Sequence, residues 1–125
     1  MNVVIDTERD QYILSLINND IARLRAMRLS CLEQLQEDDI SSDLNMVASN
    51  IERLSLVRAQ INQIDKQLNL LSFAKKQEGE HMLGYCLSCG DSIPMERIIV
   101  NPSAVRCIDC ENIVSQKNRT QFLVS

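Results

Sequence analysis

Two cysteine pairs are the residues on which chemistry can be built. Cys86-Leu87-Ser88-Cys89 and Cys107-Ile108-Asp109-Cys110 form a C-x2-C-x17-C-x2-C array, a spacing expected of zinc ribbons and treble-clef-like fingers. Each C-x-x-C lets two thiolates approach one ion from a tight turn, and Gly90, directly after the first pair, suits the left-handed backbone such a knuckle needs. Two pairs complete a closed four-cysteine set with no open position for substrate, which favours one structural Zn²⁺ over a redox dithiol. The predicted ligands are Cys86, Cys89, Cys107 and Cys110. The fifth cysteine, Cys31, falls on the apolar stripe of a helix and reads as a small buried hydrophobe. His81, the single histidine, reads as an exposed linker residue. With no Ser-His-Asp set, phosphate loop or H-E-x-x-H, an enzyme is not expected.

The finger region has few large apolar residues: Tyr85, Ile93, Ile98, Ile99, Val100, Val105 and Ile108. So thin a core implies that metal binding drives its folding, a term on the order of 10 kcal/mol or more. The four thiolates also add negative charge, which Arg97 or Arg106 could offset.

Two long helical patterns precede the finger and must position it. Ile13 or Leu14, Ile17, Ile21, Leu24, Met27, Cys31 and Leu35 recur at steps of mostly three and four, predicting a helix from about Glu8 to Glu37. Leu44, Val47, Ile51, Leu54, Val57, Ile61, Ile64, Leu68 and Leu71 predict a second. Neither contains Gly or Pro, and each would extend roughly 40 Å or more. A single apolar stripe needs a partner of similar length. The short link Asp38-Asp39-Ile40-Ser41-Ser42-Asp43 is rich in turn and N-cap residues, so the helices are expected to fold back as an antiparallel hairpin; pairing between two chains is the rival arrangement. The glycines at Gly79 and Gly84 break the pattern and mark a boundary. The fold expected is therefore mainly α: residues 1–78 form a long antiparallel helical hairpin, or coiled coil, with an acidic tip at about 37–43, and residues 79–125 form a small four-cysteine zinc finger with a C-terminal helix from about Asp109 to Phe122.

Composition narrows the function. Aromatic residues are 3% of the 125, with no Trp, and 13 Lys plus Arg against 17 Asp plus Glu leave a net charge of −4. No basic excess is present to neutralise a phosphate backbone, so autonomous high-affinity DNA binding is not expected. The N-terminal segment has neither a basic n-region nor an apolar run of signal length, and no stretch approaches a membrane span, which implies a cytoplasmic protein with reduced thiols. From Glu33 to Asp43 the chain carries Glu33, Glu37, Asp38, Asp39 and Asp43 without a Lys or Arg. These carboxylates read either as a solvated turn that caps the second helix or as a functional group displayed at the end of a stalk.

The segments Gly84-Tyr85-Cys86-Leu87-Ser88-Cys89-Gly90, with Ile93 and Arg97 after it, and Asn101-Pro102-Ser103-Ala104 leading into Cys107-Ile108-Asp109-Cys110 resemble the DksA/TraR family of C4 zinc-finger proteins. The resemblance covers about a quarter of the chain by motif, and the helical hairpin is similar in architecture and length. It implies a transcription regulator whose hairpin enters the secondary channel of bacterial RNA polymerase while its tip acids approach the active centre; the intramolecular hairpin expected above makes the protein a monomer. At the tip the best register is Asp43, Met46 and Ala48, so the family's second acid is absent, with Asp39 or Asp38 as substitutes. Family members that bind guanosine tetraphosphate place cations where this chain has Asn101 and Glu111, which implies action without that nucleotide; Arg97, Lys117 and Arg119 are the candidate contacts to polymerase or phosphate. A zinc-ribbon nucleic-acid-binding module is the second class of function. From Gly84 onward four basic and four acidic side chains argue against it. A Gre-like transcript-cleavage factor, also built on an acid-tipped hairpin, is the third.

Overall fold

The structure, a computed structural model, describes residues 7–36 and 44–124; at 44–49 and 119–124 it describes the backbone. Among the described residues four helices follow one another: α1 (Thr7–Gln36), α2 (Leu44–Lys76), α3 (Met95–Val100) and α4 (Ile108–Val124). Glu8 and Asp10 sit in the first turn of α1, and Lys75 and Lys76 in the last turn of α2, each charge opposing the helix dipole at its end. None of the described helices is long and apolar enough to cross a membrane.

α1 and α2 pack side by side as an antiparallel hairpin. Cys31 near the distal end of α1 meets Gln60, Sγ to Oε1 3.7 Å, Arg28 meets Asp65, and Ile13 near the start of α1 lines the same small cavity as Ala74 and Gln77. The seam is a heptad repeat on both helices. Ile17, Leu24 and Cys31 recur by sevens on α1, with Leu14, Ile21 and Leu35 on the second seam position; Val57, Ile64 and Leu71 recur on α2, with Leu54, Ile61 and Leu68 beside them. The seam continues without interruption into Ala74, Leu83, Cys86, Ile93 and Ile98, so stalk and finger share one core.

Two seam assignments from the sequence do not hold. Met27 is 46% exposed and accepts a hydrogen bond from Arg23. Its expected place is taken by Arg28, which keeps the step of seven with Ile21 and Leu35 and reaches across the seam to Asp65, Nε to Oδ1 2.7 Å. A charged pair at such a position favours one register of two helices, here modestly because both side chains are half-exposed. Ile51 is also outside the seam, at 61% exposed. The register set by Arg28–Asp65 and Cys31–Gln60 brings Gln36, the last described residue of α1, level with Ser55 to Val57, so Ile51 stands beyond the part of α2 that described α1 covers. Cys31 is buried, as expected of a seam hydrophobe.

After α2 the chain turns through Gln77, whose buried side chain donates to the Phe73 carbonyl, and through His81, exposed and left-handed at φ 55°. Polar residues such as His are over-represented in that conformation. Met82 N–H donates to the Gln77 carbonyl (2.9 Å), which closes the turn and aims the chain into the finger.

Ile61→Asp would bury an unpaired carboxylate in the seam and is expected to cost about 3 kcal/mol or more, whereas Ile51→Asp should change stability by less than about 1 kcal/mol. Urea unfolding followed by circular dichroism distinguishes the two; equal losses would mean that the seam extends past Leu54 to Ile51.

Candidate metal centre

The four thiols converge. Each Sγ of Cys86, Cys89, Cys107 and Cys110 lies within 4.8 Å of the others. Cys89 and Cys107 are 3.9 Å apart, Sγ to Sγ, close to the roughly 3.8 Å edge of a tetrahedron whose Zn–S bonds are about 2.3 Å. The donor set therefore fits one structural Zn²⁺, which would cross-link the two turns.

Local hydrogen bonds shape both knuckles. In the first, Gly90 N–H donates to the Cys86 carbonyl (2.9 Å) with Gly90 at φ 80°, and Cys89 N–H points at Cys86 Sγ (3.5 Å). An antiparallel bridge between Tyr85 and Ser92 brackets that turn, with Cys86 N–H donating to the Asp91 carbonyl. In the second, Glu111 N–H donates to the Cys107 carbonyl as α4 begins, so Cys110 sits in the first turn of a long helix. Leu87 N–H to the Val105 carbonyl (2.9 Å) ties the knuckles together.

The thiols are not equivalent. Burial opposes ionisation of Cys86, yet N–H donors from Cys89, Cys107 and Ser88 together outweigh it and bring the thiol down to about 6. Cys110 is pushed up to about 12, chiefly because its neighbours Cys107 and Cys86 hydrogen-bond with it as a thiol. Cys86 is thus disposed to ionise and Cys110 to keep its proton, which zinc must displace.

The surroundings answer the added negative charge. Arg106, between the knuckles, donates to Ser88 Oγ (3.3 Å) and lies 3.7 Å from Glu111. Arg97 Nε donates to the Arg106 carbonyl (3.0 Å), so this edge of Arg97 braces the second knuckle. Lys117 is exposed on α4, which also contains Arg119. Asp38, Asp39 and Asp43 lie outside the described residues, and of Ala48 only its place in α2 is described.

One residue that holds the site was not singled out by the sequence. Arg9, from the first turns of α1, donates through Nη2 to the Gly84 carbonyl (2.9 Å), Ser92 Oγ (2.9 Å) and the Ile93 carbonyl (3.2 Å), and its guanidinium lies over the Tyr85 ring, 5.2 Å from the centroid. The available signal was a cation near a helix N-terminus, where the dipole disfavours it. Gly84 makes the approach possible: at φ 81°, a Cβ there would stand 2.9 Å from Ile13 Cδ1 and 3.0 Å from Arg9 Nη2.

Zinc removal by chelator, or Cys107→Ser, is expected to unfold the finger while most of the helical signal of α1 and α2 persists, because their seam needs no metal. Because binding expels thiol protons, acidification should release zinc and alkali should not. Metal analysis and circular dichroism across a pH series check both; zinc retained by Cys107→Ser at full stoichiometry would overturn the ligand set.

Residues 82–116 match the family model of the prokaryotic dksA/traR C4-type zinc finger. No curated protein matches the chain. Among solved structures it is similar to transcription factor DksA2 from Pseudomonas aeruginosa, with a TM-score of 0.80 and 20% identity over 91% of this chain and 88% of that one. The four-cysteine cluster and the two-helix stalk thus come together as a dksA/traR C4-type zinc finger carried on the fold of DksA2.

Proposed function

We propose that the protein is a non-enzymatic transcription regulator that binds bacterial RNA polymerase through its secondary channel and modulates initiation without guanosine tetraphosphate. The observation that supports this most is the combination of a C4 finger of the dksA/traR type with the stalk of a protein described as a transcription factor, over nearly the whole chain. In this reading residues 1–78 act as the probe and residues 79–125, with the zinc, as the base that carries it. The protein works as a cytoplasmic monomer, and polymerase rather than DNA is its partner.

The functional tip is Asp43, with Ala48 close by and Asp39 and Asp38 adding negative charge. A tip residue adds little to the docking area, so Asp43→Asn should leave polymerase binding within about threefold of wild type and still abolish most of the effect on initiation. Pull-down of bacterial RNA polymerase and a purified transcription assay test both halves. Failure to bind polymerase would remove the proposal; unchanged regulation by Asp43→Asn would make the tip a turn whose acid merely caps α2.

The side chains at the finger support nucleotide independence. Asn101 Oδ1 accepts the Ser103 hydroxyl (2.8 Å) and Glu111 faces Arg106, so neither position offers a cation to a phosphate. The missing charge-assisted bonds amount to about 2 kcal/mol, with repulsion from Glu111 added. Regulation should be the same with and without guanosine tetraphosphate when polymerase lacks any other site for it. Strong potentiation dependent on this protein would show that Lys117 and Arg119 serve instead.

A further inference from the structure

We infer that the groove part-way along the stalk docks an acidic protein segment built around an apolar side chain. The groove runs between the long helices, has a volume of about 310 Å³, and is lined by Ile21 and Arg25 of α1 and by Leu68, Asn69, Ser72 and Lys75 of α2. Its chemistry is sorted by depth. Ile21 and Leu68 are half-buried members of the seam, so their remaining surface forms an apolar floor, while Arg25, Asn69, Ser72 and Lys75 stand exposed around it.

The rim holds two cations and no carboxylate, in a chain whose net charge is −4. Neighbouring acids are engaged elsewhere: Asp20 binds Arg23 at 2.6 Å and Asp65 binds Arg28 at 2.7 Å. Neither Arg25 nor Lys75 belongs to an ion pair among the described residues. Residues flanking the seam of a stable hairpin ordinarily pair opposite charges across the two helices. Here each helix contributes a cation to the same groove, an arrangement that an outside anion completes. Two cations around an apolar floor suit carboxylates flanking a Leu- or Phe-sized side chain better than a phosphate backbone, which needs a broader basic surface.

The inference rests on the proposed function, which makes the partner an acidic segment of RNA polymerase. The test is the affinity of full-length zinc-loaded protein for polymerase at low and moderate salt, for wild type, Arg25→Glu/Lys75→Glu, the neutral Arg25→Gln/Lys75→Gln and the charge-conserving Arg25→Lys/Lys75→Arg. Charge reversal is expected to weaken binding at least about tenfold at low salt and to flatten its salt dependence, because screened surface charges act mainly through such terms. The neutral pair should fall between, and the conserving pair should match wild type, all with unchanged zinc content and helical signal. A reversed or neutral variant that binds within twofold of wild type overturns the inference and leaves the polymerase reading intact. Wild-type protein that ignores polymerase removes both. Groove-dependent binding of nucleic acid alone, stronger than binding to polymerase, would also overturn the inference by assigning the groove to phosphate.

Discussion

The finger is too small to close a core of its own, and the base of the stalk closes it. Leu83, Ile93 and Ile98 are almost fully buried, in a core shared with Ile13, Ile17, Leu71 and Ala74 of the long helices. At that junction Arg9 donates to the part-buried carbonyls of Gly84 and Ile93 and to Ser92, and the Gly84 carbonyl also accepts the Ile93 N–H (2.8 Å). One guanidinium thus bridges α1 to two stretches of the finger, and without it the Ile93 carbonyl would lose this donor, at a cost of about 1 kcal/mol. The absence of a side chain at Gly84 is the other half of the same contact.

Charge is distributed so that the metal site can sit in an acidic chain. Four thiolates on one Zn²⁺ leave two net negative charges, and the nearby cation is Arg106, tied to Ser88 in one knuckle and facing Glu111 after the other. Arg97 secures the Arg106 backbone rather than adding a second contact to the cluster. The finger's cations are thus partly committed to its own architecture, in keeping with a module whose zinc is structural.

What could be read from the sequence was what depends on near neighbours. The ligands were legible because each C-x-x-C pair is a local turn, and the hairpin because a stripe repeating every three and four residues specifies a helix face. The same periodicity could not choose between Met27 and Arg28: from Leu24 to Cys31, steps of three then four and of four then three are equally good, and hydropathy favours Met. Packing favours Arg28 because Asp65, thirty-seven positions away, awaits it. Ile51 failed for a related reason, since a stripe reveals which face of a helix is apolar and not how far its partner extends. Arg9 was hidden because its partners lie 75 to 84 positions away in the chain.

These two arginines control different coordinates of the stalk. Arg28 favours one register of α1 against α2, since a shift of one heptad would carry its charge about 10 Å from Asp65 along the seam, although the pair is half-exposed and its share is modest beside the apolar layers. Arg9 restrains tilt, because its three acceptors lie on two separate stretches of the finger, at Gly84 and at Ser92–Ile93. Tilt is the more consequential coordinate. A helix of 30 residues is about 45 Å long, so a rotation of about 10° at the base would move the far end by about 8 Å, further than any side chain there could reach back. Precision at the end of such a stalk therefore has to be built at the zinc-bearing end, and the Arg9–Gly84 contact, the shared core and the closed four-cysteine cluster all stand within that one junction.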